Sequence, residues 1–229
     1  MRAADVMTTN ICVVAPEAPI QEIAREMLDR RISGMPVVDG DGNVLGIVSE
    51  GDLVRRAELG TDRRSWWLDM VSSDRTLASD YVKTHGRTAR DVMSSPAVVV
   101  EESTGLAEIA KLLESRRIKR VPVVRDGKLV GVVSRADIVR GLIVASKSWG
   151  RPRRVDDEKI RTAILAEIQR MPFASVAFIN VVVDHGEVHV WGHVETPEQR
   201  SAIRVAAENV RGVGQVIDNM VEWRVPAYV

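Results

Sequence analysis

Several features that would point to common protein classes are scarce or missing in this chain of 229 residues. Its one cysteine, Cys12, can form no internal disulfide and cannot build a cysteine-based zinc cluster. Lysine plus arginine and aspartate plus glutamate both total 32, so net charge gives no bulk attraction to nucleic acid. We therefore predict a protein of a reducing compartment that has no nucleic-acid partner.

Long apolar runs are also missing. None approaches the roughly 20 residues needed to cross a bilayer. The first residues of the chain lack the apolar stretch of a signal peptide, because polar residues interrupt them at Asp5, Thr8 and Asn10. No nucleophile arrangement, P-loop or GxGxxG motif is present. We expect a soluble, cytoplasmic protein that is not an enzyme and has neither catalytic residues nor a catalytic cofactor.

Three histidines, His185, His189 and His193, recur every four residues, a spacing that on a helix would suggest a metal site. Their β-branched neighbours and a DHG turn predict a strand instead, where His189 and His193 would lie roughly 13 Å apart. One zinc ion, with bonds of about 2 Å to each nitrogen, cannot bridge that distance. We therefore predict that these histidines form no metal site and that the chain has none.

What the chain does contain is an internal repeat. In each copy, apolar spacing and turn residues predict the order strand, helix, strand, turn, strand, helix. A copy of about 55 residues buries little core alone, so the two copies should pair. The recurring segments are DVM at 5–7 and 91–93, PVV at 36–38 and 122–124, and GIVSEGDL at 46–53 against GVVSRADI at 131–138.

These features together resemble a tandem pair of cystathionine-β-synthase (CBS) domains, over roughly residues 1–147. The resemblance rests on the DVM opening, on the strands ISGMPV and IKRVPV, and on the pattern G-h-h-S-x-x-D, where h is apolar. It implies a regulatory module that binds an adenosine ligand (AMP, ADP, ATP or S-adenosylmethionine) in clefts between paired copies.

The S-x-x-D pattern has a chemistry of its own. Each serine ends a predicted strand, and each aspartate lies in the first turn of the next helix, where its carboxylate could accept hydrogen bonds from two vicinal ribose hydroxyls. The alternative is that these residues only cap their helices. The ligand-binding candidates are Ser134 and Asp137 in copy two, and Ser49 and Asp52 in copy one.

The two copies differ in charge beside this pattern. Copy two carries Lys119, Arg120 and Arg135 where copy one has serine, glycine and glutamate. The resemblance implies that such a basic pair before the h-P-V strand contacts phosphate, and arginine is well suited to bidentate phosphate binding. Copy two therefore suits a phosphorylated ligand, whereas copy one is empty or holds an uncharged adenosine compound. Alternatively, these cations are ordinary solvated charges.

The rest of the chain predicts a small domain of order α-β-β-α-β. SVAFINVVVDHGEVHVWGHV forms two strands about the DHG turn. The following helix begins with Thr196 as its cap and Pro197 in its first turn, and Gly212 lies past its end. DHGEVHVWGHV and ENVRGVGQVIDNMVE resemble the BON domain of bacterial envelope proteins. That resemblance implies a phospholipid or protein partner but assigns no site residue.

The predicted fold class is α/β (α+β), with two pseudo-symmetric CBS units forming one module and a small second domain.

An aromatic pair, Trp66 and Trp67, is predicted to pack the inter-repeat segment or a dimer interface, or to form a lid. The last CBS helix is apolar enough to predict a homodimer, through Ile138, Val139, Leu142 and Ile143. The predicted boundaries are 1–58 (CBS unit 1), 59–88 (inter-repeat segment), 89–147 (CBS unit 2), 148–156 (basic linker) and 157–226 (BON-like domain).

Two functions fit these observations. In the first, the CBS pair is a cytoplasmic sensor that binds an adenosine ligand and modulates the BON-like domain. In the second, the protein is a constitutive dimeric scaffold or membrane-surface adaptor that works through the BON-like domain without responding to nucleotides.

Overall fold

The computed structural model describes residues 1–55, 74–145, 156–173 and 179–222. Trp66, Trp67 and most of the predicted basic linker lie outside the described residues, so their roles stay predictions. In the described ranges, no helix has the length and apolarity that crossing a bilayer requires. In chain order the elements are α1 (Ala3–Val6), α2 (Ile20–Asp29), β1 (Gly34–Val38), β2 (Val44–Ser49), α3 (Glu50–Val54), α4 (Asp74–His85), α5 (Ala89–Val92), β3 (Val100–Glu101), α6 (Leu106–Ser115), β4 (Arg120–Arg125), β5 (Lys128–Ser134), α7 (Arg135–Ala145), α8 (Asp156–Gln169), β6 (Asn180–Asp184), β7 (Glu187–Val194), α9 (Pro197–Glu208) and β8 (Gln215–Glu222).

The chain forms two compact units. The copy-one unit comprises Ile11–Val99 with Val124–Val130. The copy-two unit comprises Met1–Asn10, Val100–Val123 and the described residues from Gly131 onward. Each repeat's DVM tripeptide therefore belongs to the unit that carries the body of the other repeat.

In the copy-one unit, helix α2 packs on the antiparallel pair β1–β2. Ile23 and Met27, four residues apart on one face of α2, are buried as the periodicity predicts. Leu28, the residue after Met27, is 76% exposed, so the face of α2 that packs is no wider than the stripe through Ile23 and Met27. The buried core of this unit is Ile23, Met27, Met35, Val37, Val48, Ala89, Val92 and Met93.

A recurring glycine and a recurring methionine of the repeat make one contact in each unit. A Cβ atom at Gly46 would lie 2.9 Å from both Met93 Cγ and the Ser94 carbonyl oxygen. A Cβ atom at Gly131 would likewise collide with the Met7 side chain. The glycine of G-h-h-S thus makes room for the methionine of the other repeat's DVM tripeptide, which explains why the two recur together.

The third region, from Asp156 at the start of α8 to Glu222 at the end of β8, has the predicted order α-β-β-α-β. Strand β7 pairs antiparallel with β6 and parallel with β8, and residues of α8 and α9 share their core. The β6–β7 turn places His185 and Gly186 at φ values of 53° and 79°, as a two-residue hairpin with two left-handed central residues requires. Thr196 accepts a hydrogen bond from the Gln199 N–H at 3.2 Å, which confirms the predicted cap.

Strands β3, β4 and β5 form a further sheet in that order. The described residues form three small sheets with helices between the strands, and the fold class is α/β (α+β), as predicted. The elements that matter most for function are the strand-to-helix junctions β2–α3 and β5–α7, because each carries one serine–aspartate pair.

Candidate functional site

The serine–aspartate pair has the same geometry in both copies. In copy one, the Asp52 Oδ2 atom accepts hydrogen bonds from the Ser49 N–H at 2.8 Å and the Ser49 Oγ at 2.6 Å. In copy two, the Asp137 Oδ2 atom accepts the same two bonds from Ser134 at the same distances. One oxygen of each carboxylate is therefore fixed by its own junction.

A third pair, at the start of α5, makes the same arrangement as a helix cap. The Asp91 Oδ2 atom accepts hydrogen bonds from the Thr88 N–H at 3.0 Å and the Thr88 Oγ1 at 2.9 Å. These bonds, the backbone one foremost, hold the pKa of the Asp91 carboxyl below its usual range. Helix capping thus accounts for the Oδ2 atoms, and a ligand role must be judged from the Oδ1 atoms.

In copy one the Oδ1 atom is open. The Asp52 Oδ1 accepts no hydrogen bond from any residue in the described part of the chain, and Asp52 is partly exposed. A carboxylate oxygen can accept two hydrogen bonds. Copy one therefore presents an oriented acceptor whose partner can come from outside the chain.

In copy two the same atom is occupied. The Asp137 Oδ1 accepts hydrogen bonds from Arg140 Nη1 at 2.7 Å and from Asn180 Nδ2 at 2.9 Å. Arg140 lies on α7, the helix that also carries Asp137, whereas Asn180 is the first residue of β6 in the third region. With four donors the carboxylate is saturated, and Asp137 is only 3% exposed.

Asn180 belongs to a buried polar contact between the third region and the rest of the copy-two unit. It also donates to the Val6 carbonyl oxygen at 2.8 Å, and Arg161 Nη2 of α8 donates to the Met7 carbonyl oxygen. These carbonyls stand at the end of α1, where a helix leaves them without intrahelical partners. We call this contact (Asp137, Asn180 and Arg161 with the carbonyls of Val6 and Met7) the polar seam.

The cations predicted to contact phosphate lie beside the pair of copy two. The Arg135 N–H donates to the Lys119 carbonyl oxygen at 3.2 Å, which joins the start of α7 to the start of β4. The side chains of Lys119 and Arg135 are exposed and that of Arg120 is partly exposed. In copy one, the equivalent backbone bond joins Glu50 to the Ser33 carbonyl oxygen, so no cation occupies these positions.

Sequence reasoning missed three residues: Arg140, Asn180 and Arg161. Arg140 follows Asp137 by three helical positions, a spacing typical of ion pairs, and could have been anticipated. Asn180 is a single amide before a run of valines, which indicates a buried polar group but not its partner.

The structure also brings Asp157, Asp184 and His185 together, a set of groups that could hold a metal ion. Asp157 already has a structural role, because its two carboxylate oxygens accept the backbone N–H groups of His185 and Gly186, each at 2.9 Å. Asp157 therefore holds the β6–β7 turn against the start of α8.

Comparison with known proteins assigns the regions to families. The CBS domain profile matches residues 3–58 and 89–144, and the BON domain profile matches residues 156–224. The chain is 34% identical over 149 residues to the chloroplastic CBS domain-containing protein CBSX1 of Arabidopsis thaliana, covering 62% of this chain but only 63% of that protein. It is 30% identical over 151 residues to the uncharacterized protein MJ1426 of Methanocaldococcus jannaschii, covering 61% of this chain and 89% of that one.

Among solved structures, the crystal structure of CBSX2 in complex with AMP is 30% identical to this chain, with a TM-score of 0.56. The likeness covers 63% of this chain and 98% of that one.

Proposed function

The chain belongs to the CBS-domain family, and we propose that its repeat pair binds adenosine compounds and regulates the BON domain that follows. The observation that carries this proposal is the oriented Oδ1 atom of Asp52, which accepts no hydrogen bond from any described residue. The similar CBSX2 structure contains AMP, which supports an adenosine compound as the ligand class. The role is regulatory rather than catalytic.

The copy-one site is formed by Ser49 and Asp52. Because Ser49 fixes the carboxylate before any ligand arrives, little ordering remains to oppose binding. The Oδ1 atom can accept both hydroxyls of a ribose, and hydrogen bonds to a charged group contribute about 1.5–3 kcal/mol each. Glu50 would repel a phosphate, so this site suits an adenosine compound without one, such as S-adenosylmethionine.

The copy-two site is formed by Ser134 and Asp137 with Lys119, Arg120 and Arg135. These three cations suit a phosphorylated compound such as AMP, ADP or ATP, since arginine pairs with phosphate oxygens and lysine adds a point charge. The sensor acts in the cytoplasm, and its BON domain contacts a protein or phospholipid partner. A ligand controls that output only if it prefers one arrangement of the chain over another.

A second copy of this chain is the proposed partner of helix α7. Val139, Leu142 and Ile143 are 55%, 54% and 54% exposed, an apolar strip that a dimer would cover. Leu142→Glu should shift the protein from dimer to monomer in sedimentation equilibrium, because an interfacial charge would be desolvated without a partner. An unchanged mass, or a monomeric wild type, would remove the homodimer from the proposal.

A thermal-shift panel tests the central proposal, with adenosine, S-adenosylmethionine, AMP, ADP and ATP added to the full chain. A compound at a hundredfold over its Kd adds about 2.7 kcal/mol. For a chain of this size that amounts to roughly 5–10 °C in Tm. If none of the five compounds moves the Tm at millimolar concentration, the sensor is refuted and the scaffold or adaptor function takes its place.

A further inference from the structure

A ribose and the BON domain would both bind the Asp137 carboxylate, and they cannot do so at the same time. A ribose would need its Oδ1 atom, which already accepts hydrogen bonds from Arg140 and from Asn180 of the BON domain. We infer that the BON domain is a built-in competitor for the nucleotide site of copy two, so that its docking and nucleotide binding exclude each other. This inference rests on the function proposed above.

The exclusion follows from where the two donors are anchored. Arg140 lies one helical turn from Asp137 on α7 and is partly exposed, so its flexible side chain can turn away while the backbone stays in place. Asn180 cannot do so, because it is 4% exposed and also bonded to the Val6 carbonyl oxygen. Arg161 holds the same domain to the Met7 carbonyl oxygen. Freeing the Oδ1 atom therefore requires the polar seam to open.

The docked arrangement contains an unsatisfied polar atom, which favours undocking of the BON domain. The Asn180 Oδ1 atom is buried and accepts no hydrogen bond from any described residue. An unpaired buried acceptor destabilises the arrangement that buries it. Docking thus holds Asn180 on Asp137 but leaves one Asn180 acceptor without a hydrogen bond from the described residues. Such a contact is one that a ligand can displace.

Copy one lacks such a competitor. No described residue bonds the Asp52 Oδ1 atom, so that site stays accessible whether or not the BON domain is docked. At copy two, docking multiplies the apparent Kd of a nucleotide by one plus the docking constant. Conversely, nucleotide lowers the apparent docking constant by a factor of one plus the ratio of its concentration to its Kd for the undocked chain. The phosphorylated ligand of copy two is therefore the signal that frees the BON domain.

The test is Asn180→Asp in the full chain, titrated with AMP by calorimetry. This change sets a second carboxylate against Asp137 and removes the donor to the Val6 carbonyl, so the polar seam should open. Asp52→Asn is included in every protein to silence copy one. We expect AMP to bind Asn180→Asp at least about tenfold more tightly than the Asp52→Asn parent. The gain should vanish when Asp137→Asn is added.

Asn219→Asp is the matched control, since Asn219 lies on β8 of the same domain and, among the described residues, its amide donates only to the Ile217 carbonyl oxygen, at 3.3 Å. It should bind AMP like the parent. Arg161→Met, which removes the bond to the Met7 carbonyl, is the second opening variant and decides the matter if Asn180→Asp does not fold. Equal AMP affinity in the parent and in the folded opening variants would overturn the competition.

Failure of the competition is separable from failure of the proposed function. If adenosine binds the chain with an intact Asp52 and the opening variants gain no AMP affinity, only the competition is refuted. If no adenosine compound binds any of these proteins, the proposed function falls as well.

Discussion

Asp52→Asn is expected to weaken adenosine binding about 100-fold. Asparagine keeps an oxygen for the Ser49 cap but places an NH2 donor where the open Oδ1 acceptor was. Two ribose hydroxyls then lose their charged partner, which we take to cost about 3 kcal/mol in total. Because one capping arm is worth about 1 kcal/mol, the Tm should fall by no more than roughly 2–4 °C. Equilibrium titration with adenosine and a melting curve measure the two effects.

Two controls separate ligand binding from helix capping. Asp91→Asn makes the same change at the equivalent cap with Thr88 and should leave the affinity for adenosine unchanged. 2′-Deoxyadenosine lacks one of the two hydroxyls, so the wild type should bind it more weakly than adenosine, whereas Asp52→Asn should not distinguish the two compounds. An Asp52→Asn protein with wild-type affinity would show that this carboxylate only caps its helix.

Asp137→Ala is expected to act on stability instead. The change removes the acceptor of four hydrogen bonds and leaves Arg140 and Asn180 partly or wholly buried without it. Breaking a buried charged pair in this way costs about 3–5 kcal/mol. That loss lowers the Tm by roughly 6–20 °C for a chain of this size.

Asp52→Ala is the matched comparison, because Asp52 makes the same two serine contacts and no others within the described residues. Its loss should be that of a helix cap, about 1 kcal/mol. Asp137→Ala should also leave adenosine binding at copy one intact. Equal Tm losses for the two alanine variants would mean that the bonds from Arg140 and Asn180 to Asp137 contribute nothing to stability.

Much of the fold could be predicted from the sequence because its signals are local. The repeated DVM and G-h-h-S segments, the helical spacing of Ile23 and Met27, and the cap at Thr196 each concern a few neighbouring residues. The order α-β-β-α-β followed from the DHG turn and that cap. The exchange of DVM tripeptides between units was not predicted, because pairing of the copies does not specify which segment packs on which body.

The candidate site was predicted only in part for the same reason. The sequence identifies Ser49–Asp52 and Ser134–Asp137 as equivalent pairs, and their Oδ2 geometry is indeed the same. It favours copy two through Lys119, Arg120 and Arg135. What distinguishes the two aspartates is Asn180, whose contact with Asp137 depends on how β6 packs against α1 and α7. No periodicity or motif in the sequence predicts how β6 packs against those helices.

The most direct measurement is a crystal structure of the full chain grown with adenosine. We expect the two ribose hydroxyls to lie within hydrogen-bonding distance of the Asp52 Oδ1 atom, and Asn180 to remain bonded to an adenosine-free Asp137. Adenosine bound at Asp137 with Asn180 in place, or bound without touching Asp52, would contradict this expectation.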